Sequence, residues 1–201
     1  MAASLCYASE TADVLSCVVG TGLIAQFGIE RNRPMSESRF VAEHVCLTTN
    51  KPFEQVAIAL VRQLGRFDPE VVGLAIATGD RQKAIAHINA LAGPSGLMLF
   101  GTSDHGALLN LVDRPREAIQ YIVGNPAIAI QMTQHDVRAS LYAPLRVLLY
   151  ENDGGENGGR QTCFEYDKPS SLFGQFGNDQ ITPVAASLDQ KLEALAAAAM
   201  G

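Results

Sequence analysis

In Ser103-Asp104-His105-Gly106 an acid and a histidine sit together directly after an apolar run, where a chain leaving a sheet displays polar groups at its edge. Imidazole titrates near neutrality, so such a pair suits general acid–base work. Successive residues of a strand face opposite sides, which keeps Asp104 from orienting His105 directly, and a turn capped by Asp104 with His105 in a half-buried slot is the competing role. Gly124-Asn125-Pro126 marks a strand-to-helix junction. Unpaired N–H groups at a helix start attract carboxylate or phosphate and glycine admits a ligand to the backbone, although Asn-Pro is also ordinary helix punctuation. In Leu141-Tyr142-Ala143-Pro144-Leu145-Arg146 the guanidinium suits a bidentate contact with an anionic ligand, or an ion pair with Asp104 or Glu165. The internal ion pair is the preferred role for Arg146, and Tyr142 lines the same pocket or simply packs.

Other constellations fall short of a site. His44 and Cys46 are two apart on one strand face, and gain a further donor only if His105 or His135 meets them in space. Zinc and haem sites use such donors, but no H-E-x-x-H, paired cysteine knuckle or C-x-x-C-H occurs, so neither a metal nor a cofactor is expected. Gly20-Thr21-Gly22 lacks a third glycine in place and no repeated βαβ pattern follows, which removes a dinucleotide loop. Ser170 and Ser171 stand beside Pro169 in an expected turn with no assignable base, and there is no G-x-S-x-G elbow or P-loop.

The elements that must position these residues are read from periodicity. Residues 1–38 form a small-residue-rich N-terminal extension in which Val14 to Ile24 reads equally as strand or helix, ending at Arg31-Asn32-Arg33-Pro34. Residues 39–201 form the main α+β domain. Arg39 to Thr49 alternates with period two and reads as a strand. Asn50 is a candidate N-cap for a helix in which Phe53, Val56, Ala57, Leu60, Val61 and Leu64 recur until Gly65. A short and a longer helix are expected between Asp68 and Gly93, then a buried strand from Leu97 to Phe100. A helical segment near Pro115 to Gln120 precedes the strand Tyr121 to Val123, and Asn125 caps a helix through about Gln134. Leu145 to Tyr150 and Gln161 to Tyr166 pair around the acidic, glycine-rich loop 151–159. A last helix from Thr182 carries Val184, Leu188, Leu192 and Leu195 on one stripe, with Asp189 elsewhere and a fraying alanine tail.

A chain of 201 residues can bury one sizeable core. With 18% charged residues and a net charge of -6 it is neither disordered nor basic enough to favour nucleic acid. Its four cysteines are scattered, which fits free thiols in a reducing compartment. The N-terminus lacks a basic leader, and the apolar stretch Val14 to Ile29 is too short and mixed to span a bilayer, so a cytoplasmic protein with no membrane partner is expected.

Taken in order, Leu47-Thr48-Thr49-Asn50-Lys51-Pro52-Phe53-Glu54, Asp104-His105, Gly124-Asn125-Pro126 and Ala143-Pro144-Leu145-Arg146 resemble the bacterial domain-of-unknown-function 302 family. Tyr166-Asp167, Pro169-Ser170 and Leu188-Asp189 follow in the expected order, and the resemblance covers about residues 39 to 195. The N-terminal extension and the helical stretch 68–93 mark a longer branch. The resemblance implies a two-layer α+β fold, a largely antiparallel sheet packed with helices, and a homodimer; it implies no activity. The leading expectation is a small-molecule-binding domain for capture or sensing. Its pocket lies between the sheet and the helix beginning at Asn125, with Asp104, His105, Asn125 and Arg146 at its mouth and Gly124 and Tyr142 in its lining. The competing classes are a cofactor-independent enzyme, in which His105 moves a proton while Asn125 and Arg146 hold negative charge, and a structural dimer without a ligand.

Overall fold

The computed structural model describes residues 37–154 and 159–201, together with the backbone of three strands nearer the N-terminus. The chain divides into two compact units, Met1–Arg39 and Phe40–Gly201. In the first, β1 (Leu5–Ala8), β2 (Val14–Val19) and β3 (Leu23–Gly28) pair antiparallel in sequence order, so the described parts of the stretch that read equally as strand or helix are strand. Gly20-Thr21-Gly22 and Arg31 to Pro34 lie outside the described residues.

The second unit is an α+β fold built on a six-stranded sheet, in the order β4-β9-β8-β7-β6-β5. Its elements run β4 (His44–Thr49), α1 (Phe53–Gln63), β5 (Gly65–Arg66), α2 (Pro69–Ala77), α3 (Arg81–Ala90), β6 (Met98–Asp104) and α4 (His105–Leu109). Then follow β7 (Ala118–Gly124), α5 (Pro126–Thr133), β8 (Leu145–Asn152), β9 (Gln161–Asp167), α6 (Pro169–Gly174) and α7 (Thr182–Met200). All neighbouring strands pair antiparallel except β5 with β6.

One face of the sheet is the core. Tyr166, Val147 and Tyr121 stand opposite one another across β9, β8 and β7, as do Phe164 and Leu149, and all are buried. Val56 and Leu60 of α1 and Leu188, Leu192 and Leu195 of α7 complete the same cluster. Met98 lies between Leu97 and Leu99 in sequence but joins a second cluster with Ile88 of α3 and Ala127 of α5, because successive strand residues face opposite sides.

Several local expectations give way to long-range pairing. β4 begins at His44 rather than Arg39, since its partner β9 ends at the matching Asp167. Helix α1 is capped at Pro52, without a side-chain hydrogen bond, and not at Asn50. Residues 115–120 are not helical: a short 3-10 turn (Asn110–Val112) ends at Asp113, whose φ of 54° is left-handed, and Ala118 to Gln120 already pair with Leu148 to Tyr150. Pro169 to Gly174 is a helix rather than a turn. The Asp189 carboxylate is buried and accepts the Ser170 N–H at 2.8 Å, holding α6 to α7. The alanine tail does not fray, since α7 reaches Met200 with Ala196 and Ala199 buried.

Two glycines let the α3 exit cross β5 in backbone contact. The Leu97 carbonyl accepts N–H groups from both Gly65 and Gly93, at 2.9 and 3.0 Å. A Cβ on Gly65 would stand 1.8 Å from the Leu91 carbonyl oxygen. Backbone cannot give way as a side chain can, so Gly65→Ala is expected to lower the unfolding free energy by about 3 kcal/mol, the upper range of overpacking costs, measured by urea denaturation.

Candidate functional site

Strands β6 and β7 decide where the two most conspicuous motifs go. Met98 pairs with Gly124 and Asp104 with Ile119, so Asp104-His105 leaves the sheet at one end and Gly124-Asn125-Pro126 at the other. Five residue steps separate Ile119 from Gly124, roughly 17 Å of strand. The expectation of one mouth shared by Asp104, His105, Asn125 and Arg146 fails for this reason: adjacent antiparallel strands finish at opposite ends of their pair.

At the first end, the Asp104 carboxylate caps α4 by accepting the Ala107 N–H at 2.8 Å, and His105 is exposed in the first turn of that helix. The hollow beside them is lined by Asp104, Gly106, Arg116, Glu151 and Arg160 among others, but not by His105.

At the second end, Asn125 is 6% exposed and its side chain is fully engaged. Its Oδ1 accepts the Ala127 N–H at 2.8 Å, while Nδ2 donates to Gly96 O at 3.0 Å and Asn89 Oδ1 at 3.2 Å. The Asn125 carbonyl accepts the Ile128 and Ala129 N–H groups, and Pro126 has none to offer. The start of α5 therefore satisfies its own donors and presents none to an anion. Gly124 serves close packing: a Cβ there would meet Pro144 at 3.2 Å and Phe100 at 3.5 Å.

Two hollows flank the segment Ala143-Pro144-Leu145, which lines both. The first, about 180 Å³, is apolar; Phe100, Gly124, Pro126, Met132, Phe173 and Leu188 form most of its wall. The second, about 270 Å³, includes Ile122, Tyr142, Arg146, Asp167 and Leu172. Of the residues expected to bind a ligand, Gly124 and Asn125 thus line one hollow and Tyr142 and Arg146 its neighbour. Arg146 does not form the ion pair expected with Asp104 or Glu165, nor any other salt bridge among the described residues.

The reason lies in β4 and β9, whose alternation sets His44 and Cys46 beside Glu165 and Asp167 on the sheet face away from the α1–α7 core. His44 Nδ1 lies 3.1 Å from Asp167 Oδ1 and its Nε2 3.1 Å from Glu165 Oε2. Tyr150 donates its hydroxyl to Glu165 Oε1 at 2.6 Å. The hydrogen bond to Asp167, then that to Glu165, raises the His44 pKa above its ordinary 6.5. Burial pushes the Glu165 carboxyl up, but hydrogen bonds from Tyr150, Cys46 and His44 outweigh it and leave it below the ordinary carboxylate value. Burial and the Glu165 carboxylate push the Cys46 thiol up to about 11. His44 and Cys46 are the pair that the sequence pattern brought up for metal and set aside; among the described residues no group of three or more such side chains is arranged to hold one. The signal that points to their carboxylate partners is the period-two spacing of Cys163, Glu165 and Asp167 on the neighbouring strand.

Comparison with known proteins gives a family without an activity. A family model described as "Domain of unknown function DUF302" matches residues 75–199, a span that begins within α2 and includes α3. The crystal structure of an uncharacterized conserved protein DUF302 from Bacillus stearothermophilus is similar in fold, with a TM-score of 0.52 and 14% sequence identity, covering 78% of this chain and 97% of that one. No curated protein matches the chain.

The His44 bracket sets a pH dependence. Its folded pKa lies above the unfolded value of 6.5, so its stabilisation is complete below that value and is lost as pH rises through the folded pKa. NMR titration of the imidazole is expected to place the midpoint above 6.5, and Asp167→Asn to bring it down. Cys46, although exposed, is expected to alkylate more slowly than free cysteine at about pH 7.5, with Glu165→Gln accelerating the reaction, as followed by mass spectrometry.

Proposed function

The chain belongs to the DUF302 family, whose name carries no activity, and on that premise we propose that it is a small-molecule-binding domain that captures an uncharged, apolar solute in the hollow beneath the start of α5. The observation that carries this is the contrast between the lining and the polar groups around it. A hollow of about 180 Å³, open on one side, is lined largely by Phe100, Met132, Pro144, Phe173 and Leu188, while the side-chain amide at its rim, that of Asn125, has spent its hydrogen bonds within the protein. An engineered apolar cavity of about 150 Å³ stays dry and takes up benzene. A small aliphatic or monocyclic aromatic solute matches this site in size and chemistry. A charged ligand does not, since its desolvation would go uncompensated.

His105 has no part in this reading, because it stands at the other end of β6. A homodimer belongs to the same proposal; what supports it is the exposed apolar set Leu108, Leu111 and Val112, which a second copy would cover. Among the described residues no helix is long and apolar enough to cross a membrane, and Cys46 and Cys163 are free thiols. A cytoplasmic setting agrees with the free thiols.

Benzene or toluene at about ten times its Kd is expected to stabilise the protein by about 1.4 kcal/mol and to shift the Met132 methyl resonance. Ala129→Phe, which places a ring in the hollow, is expected to abolish both effects while leaving the fold intact. An unmoved Met132 resonance, or equal stabilisation of the Ala129→Phe protein, would contradict the proposal. Sedimentation velocity checks the dimer, with Leu111→Asp expected to give a monomer.

A further inference from the structure

The second hollow, across the Ala143–Leu145 segment, is built for a different kind of ligand. Its wall includes Leu172, buried, and Tyr142, whose ring stands edge-on to Phe173 and Phe176 at 6.2 Å each. A ring held on two sides is a fixed surface, which lowers the ordering a ligand must impose. Arg146 and Asp167 bring opposite charges to the same hollow from neighbouring strands. Val147 stands opposite Tyr166, so these two are the next residues along the β8–β9 pair.

Opposite charges so placed ordinarily pair with each other, yet no salt bridge joins them; Asp167 is drawn to His44 on β4 at 3.1 Å. Both oxygens of Glu165, the next carboxylate along β9, are occupied, by Tyr150 and His44, whereas His44 meets only Oδ1 of Asp167 and leaves its Oδ2 without a partner among the described residues. Arg146 is exposed and has no carboxylate partner among the described residues. A simple anion here meets Arg146 but is repelled by Asp167, and a simple cation meets the reverse. Only a ligand carrying both charges satisfies both groups, with an apolar body to cover Tyr142 and Leu172.

We propose that this hollow binds a free α-amino acid with an apolar side chain, its carboxylate on Arg146 and its ammonium on Asp167. The site is separate from the apolar hollow beneath α5 and does not depend on it.

The test is a set of NMR titrations of the full chain with L-phenylalanine, 3-phenylpropionate and phenethylamine, which differ only in their charged groups. L-Phenylalanine is expected to shift the backbone resonances of Ile122, Tyr142, Arg146 and Asp167 saturably, and each single-charge analogue to bind about tenfold more weakly or less. Losing one charge-assisted hydrogen bond on an exposed surface corresponds to about that factor. Arg146→Gln and Asp167→Asn, both surface substitutions whose fold the same spectra verify, are expected to weaken L-phenylalanine about tenfold each, and Arg146→Gln to improve phenethylamine by removing its repulsion. Equal binding of 3-phenylpropionate and L-phenylalanine overturns the proposal in favour of a plain anion site. Shifts confined to Met132 and Ile128 overturn it by placing the ring in the other hollow, and an absence of saturable shifts overturns it outright.

Discussion

Tyr166, Val147 and Tyr121 lie side by side on three central strands, with Phe164 and Leu149 one row along, and none of the five is more than 3% exposed. Burial of this one face under α1 and α7 sets the register of the whole sheet, since a slip of one residue in any strand would turn its entire apolar set outward. With the core face occupied by these residues, the alternate positions have only the other face to go to. There the same register collects His44, Cys46, Tyr150, Glu165 and Asp167, residues scattered over more than a hundred positions of sequence.

That polar face is organised around two carboxylates rather than around a histidine. Glu165 accepts from Tyr150 and faces His44, and Asp167 holds the other side of the same imidazole. Two consequences follow from this one bracket. The Glu165 carboxylate adds to desolvation in raising the Cys46 thiol to about 11, which lowers its thiolate fraction at neutral pH. Arg146 has no carboxylate partner among the described residues, and it lines the hollow instead.

At the same end of the sheet, the exit of β7 is organised by close approach. Gly124 admits Pro144 and Phe100 against the end of β7, and Asn125 closes the start of α5 with its own side chain and carbonyl. A helix start satisfied in this way is an apolar boundary rather than an anion site, which is why the hollow below it is suited to an uncharged solute. The Ala143–Leu145 segment then separates two hollows, one apolar and one with Arg146 and Asp167 in its wall, within a few residues of one another.

Features that rest on neighbours along the chain are legible in the amino-acid sequence itself: the apolar spacing of α1, the Asn125–Pro126 start of α5, the alternation of β8 and β9, and the stripe of α7. Each reflects a local rule of capping or periodicity. The tertiary fold alone decided that Asp104-His105 and Asn125 stand at opposite ends of an antiparallel pair. It also decided that residues 115–120 extend to meet β8, that Asp189 is buried to hold α6, and that Glu165 and Asp167 close on His44. In all of these the partner lies far along the chain, and no local pattern records which distant strand or helix will supply the missing hydrogen bond or charge.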